Sequence, residues 1–327
     1  MHIPDGFING TTSLGGGLVA AGSLGVALRQ SKASLRHKQI PLAGLAAAFV
    51  FAVQMLNFPV AAGFSGHLLG GALVAILLGP AMGAVVVSVV IVVQALLFAD
   101  GGVSAIGLNV LNMAVLTALV GWAAFRLLVR VRRATRTAWV GAALISGMVS
   151  VIVSATGFVL EYAFGGTVDV DLHAVFVAMV GTHALIGIGE GLITAVALGA
   201  VWSVRPDLVL ATADLRPEER PSMLLTRRSV GWFVAAGLLV TVLLVLVVAP
   251  LASSLPDALN RVAIDQGFAG AERANPVDSP VAGYGVEGLE GDLWSTALAG
   301  AVGVAATFLL GLLVLRLVRR RIESHDT

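Results

Sequence analysis

The chain has 327 residues, of which 57% are hydrophobic and only 12% charged, with a formal net charge of +1. This apolar excess excludes a soluble globular domain and is typical of polytopic membrane proteins. Cysteine is absent, which excludes disulfides, thiolate metal sites and cysteine nucleophiles.

Apolar stretches long enough to cross a bilayer recur along the chain, since a helical crossing takes about 20 residues. They predict an all-α polytopic membrane protein, with a bundle of seven spans followed by a hairpin of two. The predicted spans cover residues 11–28, 40–56, 68–98 (as two spans), 104–127, 139–160, 182–204, 230–250 and 293–318.

The stretch 68–98 is long for one span and short for two. The Arg-rich cluster from Arg126 to Arg136 belongs in the cytoplasm by the positive-inside rule, so 68–98 has to cross twice or re-enter. Gly79 and Pro80 supply the turn. The sequence leaves open whether the stretch crosses fully.

Basic residues predict the orientation of the chain. With the N-terminus outside and the C-terminus in the cytoplasm, Arg261 and Arg273 are the basic residues that remain outside. The predicted organisation is a first domain over 1–203, a cytoplasmic linker over 204–228 and a second domain over 229–327. The second domain carries an external loop over 255–292.

The opening segment, Met1 to Phe7, lies outside every predicted span and carries no feature of a removable signal peptide. The Met1 amine, the His2 amide nitrogen and the His2 imidazole can close two chelate rings on one metal ion. Three nitrogens in a plane leave a fourth corner open, and square-planar nitrogen sites suit Ni(II) and Cu(II). A His at position two can also be incidental. The large second residue is expected to leave Met1 in place.

The predicted topology puts His67 on the same side of the membrane as Met1 and His2. His67 can fill the open corner, and four nitrogens in a plane favour Ni(II), or Co(II) where the cell supplies more of it. The alternative is an interfacial His that caps a short helix. Because the amide must lose its proton, binding should weaken as the pH falls.

Other polar side chains lie at membrane depth or near the outer side. His183 and Glu190 are seven residues apart on one helix face, where they either support or gate the site or join helices. Asn109 and Asn112 are expected to orient ligands or loops rather than to bind metal. Asp5 is expected to fix the N-terminal segment by hydrogen bonds, with a role as a base as the alternative.

Several motifs are missing from the sequence. It has no G-x-x-x-x-G-K-[ST] phosphate loop, no H-E-x-x-H and no G-x-S-x-G, and no basic and aromatic surface that suggests nucleic acid. The chain is therefore expected to be neither an enzyme nor the energy source of a pump. A metal-dependent hydrolase would also need an open coordination position and a nearby base.

The combined motifs resemble the NikM/CbiM family, the substrate-specific membrane subunit of energy-coupling-factor (ECF) nickel/cobalt transporters, over residues 1–203. They are Met1 to Phe7, Gly66 to Gly71, Ala99 to Gly102 with Asn109 and Asn112-Met113, and His183 to Gly191. Residues 229–327, with Ser279 to Tyr284, resemble the auxiliary NikN/CbiN subunit. Together they are similar to a fused NikMN-type chain.

The resemblance implies that Met1, His2 and His67 bind the metal from outside, in the inner membrane of a prokaryote. It implies no prosthetic group, with Ni(II) or Co(II) bound as substrate. It also implies three partners, a transmembrane coupling subunit and two cytoplasmic ATPases. The alternative function is a self-sufficient divalent-metal carrier with Glu190 and His183 as proton relay. The sequence does not decide between nickel and cobalt.

Overall fold

The structure is a computed structural model that describes residues 1–34, 39–61, 63–131, 135–214, 227–289 and 292–323. It is predominantly helical, which confirms the predicted all-α membrane fold. The helices are α1 Gly10–Ser34, α2 Gln39–Met55, α3 Gly71–Leu78, α4 Pro80–Leu97, α5 Ile106–Val131, α6 Arg136–Gly165, α7 Leu172–Val204, α8 Arg227–Leu243, α9 Ala258–Asp265 and α10 Asp292–Glu323. Two short strands, β1 Phe58–Ala61 and β2 Phe64–Gly66, pair antiparallel.

Within the described residues, 7 helices are long and apolar enough to cross a membrane, which makes the chain a multi-pass membrane protein. They are α1, α4, α5, α6, α7, α8 and α10. Helix α2 has 17 residues and is just below this length. Two of the long helices include a π-helical segment. In α5 it is Val110–Leu116, and α8 continues into a second π-helical segment, Leu244–Val248.

The stretch 68–98 differs from two full helical spans. Helix α3 has only 8 residues, about 12 Å of helix, and residues 67–70 before it are not helical. The predicted turn is confirmed: Gly79 has a φ of 93° between the two helices, and Pro80 begins α4. Gly79 takes this left-handed conformation at little cost because it has no Cβ.

Two predicted helix boundaries were wrong. Helix α7 begins at Leu172 rather than at residue 182, because the Asp171 side chain caps its first turn by accepting from the His173 backbone N–H at 2.9 Å. Helix α6 extends to Gly165. Glu161, placed in an outer loop by the sequence, therefore lies inside a membrane helix.

The second domain packs against α2. A Cβ added at Gly44 of α2 would lie 3.0 Å from the Leu312 side chain of α10, so these helices approach closely where small residues meet. On α8, Gly237 faces Leu45 of α2 in the same way. The two-span hairpin is thus fixed to the first domain at membrane depth.

One end of the bundle gathers residues 1–9, 56–61, 63–70, 98–105 and 252–289, and we call this end the N-terminal face. Backbone hydrogen bonds join the second domain's loop to the first domain there: Ser253 N–H donates to Asn57 O at 2.8 Å, and Gly283 N–H donates to Phe98 O at 2.7 Å. The described part of the loop predicted over 255–292 therefore covers the N-terminal segment.

The predicted linker begins at the opposite end of the bundle. Its first part forms two 3-10 turns, Pro206–Leu208 and Leu210–Thr212. Arg126 of α5 holds this part by donating to Ala211 O at 2.7 Å and to both carboxylate oxygens of Asp214. The remainder of the predicted linker, residues 215–226, lies outside the described residues.

Candidate metal site

The N-terminal segment is built into the protein core. Met1 is 4% exposed, His2 is 8% exposed, and Ile3 and Phe7 are fully buried. The Phe7 ring packs edge-on against Phe268 of the second domain, with ring centroids 5.1 Å apart. Burial of these apolar side chains stabilises the segment in one place, so its polar atoms have defined positions.

Asn109 holds the backbone of Ile3. Its Oδ1 accepts from the Ile3 N–H at 2.8 Å, and its Nδ2 donates to Ile3 O at 3.1 Å. Ile3 O also accepts from the Gly102 N–H at 2.8 Å. These bonds fix the segment one residue after His2.

Asp5 joins the segment to the start of α5. Its carboxylate accepts from the backbone N–H groups of Val103 at 3.1 Å and Ser104 at 2.8 Å, and from the Ser104 hydroxyl at 2.5 Å. Gly102 runs so close to the backbone of Asp5 that a Cβ there would clash with the Asp5 nitrogen. Gly102 of the Ala99 to Gly102 motif therefore allows the two backbones to approach each other closely.

The Met1 amine and His67 lie side by side beneath the N-terminal face. The amine nitrogen is 2.5 Å from Nε2 of His67. His67 Nδ1 lies 3.0 Å from Leu68 O, so Nδ1 carries the proton as donor and the Nε2 lone pair faces the amine. Two nitrogen donors that are 66 positions apart in the sequence thus lie next to each other in the fold.

The His2 ring lies against His67 but faces other groups. The two rings stack with centroids 5.0 Å apart and an interplanar angle of 21°. His2 Nδ1 is 3.1 Å from Asp100 Oδ1, and Nε2 is 3.2 Å from Gln94 Oε1. The hydroxyl of Tyr284, from the second domain, donates to the other oxygen of Asp100 at 2.6 Å.

Asp257 brings a carboxylate from the second domain to the Met1 amine. Its Oδ2 lies 3.1 Å from the amine nitrogen, while Oδ1 accepts from the Asn260 N–H at 2.8 Å at the start of α9. Burial acts to raise the pKa of Asp257, but the nearby ammonium of Met1 outweighs it and leaves the pKa below its usual value. The carboxylate is therefore ionised at neutral pH.

Burial also lowers the pKa values of the two imidazoles. It lowers the pKa of His2, against the opposing effect of Asp100. It lowers the pKa of His67 well below the usual value, and the Met1 ammonium adds to the effect. Burial disfavours the charged form, so both rings are shifted toward the neutral form, in which one ring nitrogen carries a lone pair.

Glu190 and His183, predicted as a pair on one helix face, have different partners. The Glu190 carboxylate accepts from the backbone N–H groups of Leu69 at 2.7 Å and Gly70 at 2.9 Å. It thereby satisfies two backbone donors of the buried, non-helical stretch before α3, which would otherwise be left unpaired. Gln54 supports the same segment by donating to Leu69 O at 2.8 Å.

His183 lies closer to the candidate site. Its Nδ1 donates to Met179 O at 2.8 Å, and within the described part of the chain its buried Nε2 has no hydrogen-bond partner. The ring lines a narrow cavity together with Met1 and His67. Asn112, by contrast, turns away from the N-terminal segment and donates to Glu161 at 2.7 Å.

A cavity of about 340 Å³ opens above the site, and we call it the vestibule. Its lining includes His2 and the carboxylates of Asp5, Asp100, Asp257 and Glu272. Carboxylates grouped around a cleft raise the local concentration of cations. The vestibule is thus suited to an incoming metal ion.

Sequence reasoning missed Gln94, Asp100, Asp257 and Tyr284. Asp100 stood in the Ala99 to Gly102 motif but received no role. Tyr284 stood in the Ser279 to Tyr284 motif but received no role either. Asp257 belongs to a long acidic loop in which no local pattern marks one acid above another. Among the described residues, no three His, Asp or Glu side chains form a metal-binding group; the convergent donors here include a backbone terminus.

The fold and the site thus define a multi-pass helical membrane protein with buried nitrogen donors below an acidic vestibule. The chain belongs to the CbiM family, described as the cobalt uptake substrate-specific transmembrane region, whose model matches residues 2–208. A PDGLE domain of the CbiN-like type matches residues 231–320. The chain therefore combines the substrate-specific and auxiliary parts of such systems, as the resemblance predicted.

Relatives and solved structures agree with this family. A protein of Haloquadratum walsbyi named for metal transport is 38% identical over 221 residues, covering 67% of this chain and 99% of the relative. A protein of Archaeoglobus fulgidus named as the fused nickel transport protein NikMN is 38% identical over 210 residues, covering 64% of this chain and 68% of the relative. A crystal structure of a transition metal transporter matches with a TM-score of 0.58 and 27% identity, covering 67% of this chain and 100% of the other.

Proposed function

We propose that the chain is the substrate-binding membrane subunit of an ATP-driven, ECF-type transporter that takes up Ni(II) or Co(II). The observation that carries this is the buried Met1 amine beside the Nε2 lone pair of His67. The buried amine lies, with two imidazoles, under a vestibule whose lining includes carboxylates.

The proposed ligands are the Met1 amine, the amide nitrogen and Nδ1 of His2, and Nε2 of His67. The amine and Nε2 of His67 are already adjacent. Nδ1 of His2 faces Asp100, so in the chelate Nδ1 exchanges that contact for the metal. Imidazole nitrogen suits nickel among the first-row metals, and the Asn109 and Asp5 bonds hold the segment so that few groups must move.

We propose that the N-terminal face lies outside the cell and that the membrane is the prokaryotic inner membrane. The basic clusters after α5 and at the end of α10 support this orientation by the positive-inside rule. The vestibule then opens to the outside, where it collects cations for the site beneath it.

We propose that energy comes from partners, a transmembrane coupling subunit and two ATPases, because the sequence has no phosphate-binding loop. The rival carrier would use Glu190 and His183 as a proton relay. Glu190 instead caps the backbone of Leu69 and Gly70, which gives its carboxylate a structural role and makes the carrier the weaker proposal.

Ni(II) and Co(II) are the two candidate substrates. The family is described by cobalt uptake, and the Archaeoglobus relative is named for nickel. An all-nitrogen planar set favours Ni(II). We therefore propose nickel as the preferred substrate, with cobalt accepted.

The direct experiment is Ni(II) titration calorimetry on the purified chain and on His67→Ala. Removing a ligand is expected to weaken binding at least about 100-fold, beyond the range of a supporting residue. His173→Ala is the matched control, because His173 lies at the exposed start of α7. Equal binding by His67→Ala and the unaltered chain would overturn the proposed function.

A further inference from the structure

We propose that Tyr284 of the second domain is a positioning residue for the metal site, because its hydroxyl orients the Gln94 amide so that Nδ1 of His2 is left for the metal. The inference rests on the proposed function and adds no ligand to the four nitrogens. It gives the second domain a defined part in metal binding, through hydrogen bonds rather than through coordination.

The His2 ring needs a hydrogen-bond acceptor at Nε2 when Nδ1 binds the metal. A neutral imidazole carries one proton, so a ring that offers Nδ1 to an ion keeps its proton on Nε2. Metal-binding His residues donate this second N–H to an acceptor that fixes the ring. Oε1 of Gln94 lies 3.2 Å from Nε2 of His2, and Gln94 is fully buried, so the Gln94 oxygen is placed to accept this proton.

A Gln side chain can present either its oxygen or its NH₂ group, and Tyr284 determines which of them faces His2. The Tyr284 hydroxyl donates its proton to Oδ2 of Asp100 at 2.6 Å. With that proton engaged, the hydroxyl can only accept from Gln94, and Nε2 of Gln94 donates to it at 3.1 Å. Because the NH₂ group is bound to Tyr284, Gln94 turns Oε1 toward Nε2 of His2.

Tyr284 is held in this position by its ring and by its backbone. The ring stacks on Phe98 with centroids 4.9 Å apart and an interplanar angle of 20°, and the Gly283 N–H donates to Phe98 O at 2.7 Å. Tyr284 has a φ of 61°, in the left-handed region that bulky residues rarely occupy. Such a conformation persists where surrounding contacts hold it, and it is concentrated at functional sites, which supports a positioning role.

Asp100, the acceptor for Tyr284, is held by the same loop of the second domain. Nδ2 of Asn275 donates to Ala99 O at 3.2 Å and to Gly101 O at 3.1 Å, so it binds the two residues that flank Asp100. The Asp100 N–H donates to Gln94 O at 3.1 Å. The carboxylate that accepts the Tyr284 proton therefore has a fixed position relative to Gln94.

A double-mutant cycle on the full chain, read out by Ni(II) calorimetry, tests this inference. Tyr284→Phe keeps the ring on Phe98 but frees the Gln94 amide, so Ni(II) affinity should fall about tenfold, as for other groups that orient metal ligands. Gln94→Glu offers only acceptor oxygens, so its orientation no longer depends on the hydroxyl. In the Gln94→Glu background, Tyr284→Phe should therefore change the affinity by less than about twofold.

Tyr162→Phe is the matched control, because it removes the same hydroxyl from the other of the chain's 2 Tyr residues. The Tyr162 hydroxyl donates to Val168 O at 3.0 Å rather than to Asp100, so Tyr162→Phe should leave Ni(II) affinity unchanged. Thermal melting checks that each variant is folded. Equal losses caused by Tyr284→Phe in both backgrounds, or no loss in either, would overturn the inference.

NMR of the Ni(II)-loaded chain with ¹⁵N-labelled His gives a second readout that does not need the Gln94 variant. Planar Ni(II) is diamagnetic, and the His2 Nε2–H should exchange slowly with water in the unaltered chain and fast in Tyr284→Phe. Identical exchange in the two proteins would overturn the inference. His67→Ala separates the two proposals, since its loss of Ni(II) binding supports the proposed function whatever Tyr284 does.

Discussion

Asn109 and Ile3 are 106 positions apart, yet the Asn109 amide pairs with both the N–H and the carbonyl of Ile3. The pairing resembles one rung of a β-ladder in which a side chain replaces a strand. It sets how far the N-terminal segment enters the protein, and with it the distance between the Met1 amine and His67.

Replacing Asn109 tests this positioning. In Asn109→Leu both bonds are lost, and Ni(II) binding is expected to weaken about 10- to 100-fold, as is usual for groups that orient metal ligands. Asn109→Asp keeps the acceptor for the Ile3 N–H but cannot donate to Ile3 O, so its affinity should fall between the two. Calorimetry on the three proteins measures the order. Unchanged Ni(II) binding by Asn109→Leu would show that the N-terminal segment does not need the Asn109 hydrogen bonds to bind metal.

A substitution at Gly102 tests whether the Ala99 to Gly102 loop must lie close to the N-terminal segment. A Cβ at Gly102 would clash with the Asp5 backbone, so Gly102→Ala should push the segment outward and lower both the thermal midpoint and Ni(II) affinity. Gly15→Ala is the control, because nothing lies within 4 Å of a Cβ placed there. It should bind Ni(II) as the unaltered chain does. If both variants bind normally, the loop tolerates a shifted segment.

Glu190→Gln separates the structural role of Glu190 from a proton relay. Gln offers one acceptor oxygen in place of two, so either the Leu69 or the Gly70 N–H loses its partner. An unsatisfied buried donor costs about 1–3 kcal/mol, and the thermal midpoint in detergent should fall accordingly. Glu287→Gln, on the exposed loop, should leave it unchanged. Abolished uptake in cells with a fully retained thermal midpoint would instead favour the carrier.

Acid should weaken the fold through the two buried imidazoles. The folded-state pKa values of His2 and His67 lie below the ordinary value of 6.5. Their contribution to stability is therefore complete above about pH 6.5 and is lost as the pH falls below it, because the unfolded chain takes up protons first. The thermal midpoint without metal should drop between pH 7 and pH 5. A His2→Gln/His67→Gln variant should show a smaller drop, and an equal drop would assign the effect to other groups.

Local patterns in the sequence predict much of this fold. Apolar length and basic clusters predict the long helices, and Gly79 with Pro80 predicts the turn before α4. The predicted topology also placed Met1, His2 and His67 on one side of the membrane, and the structure brings the three residues together at one end of the bundle. These features depend on composition within a few dozen residues, which sequence reasoning can use.

Features that depend on contacts between distant segments were not predictable. Residues 67–70 remain non-helical because Glu190, about 120 positions later, satisfies their backbone. Asp257 reaches the Met1 amine because the second domain's loop folds over the first domain. No spacing within the loop indicates which of its acids makes that contact.

The central claim is that the chain's own amine binds the metal, and its most direct test is Ni(II) binding by the native chain and by one with an Ala inserted before Met1. The extension moves the amine away from His67 and replaces it with an amide. We expect the extended protein to lose calorimetric binding and the visible Ni(II) absorption bands. Equal binding and identical absorption by both proteins would contradict a metal-binding role of the Met1 amine.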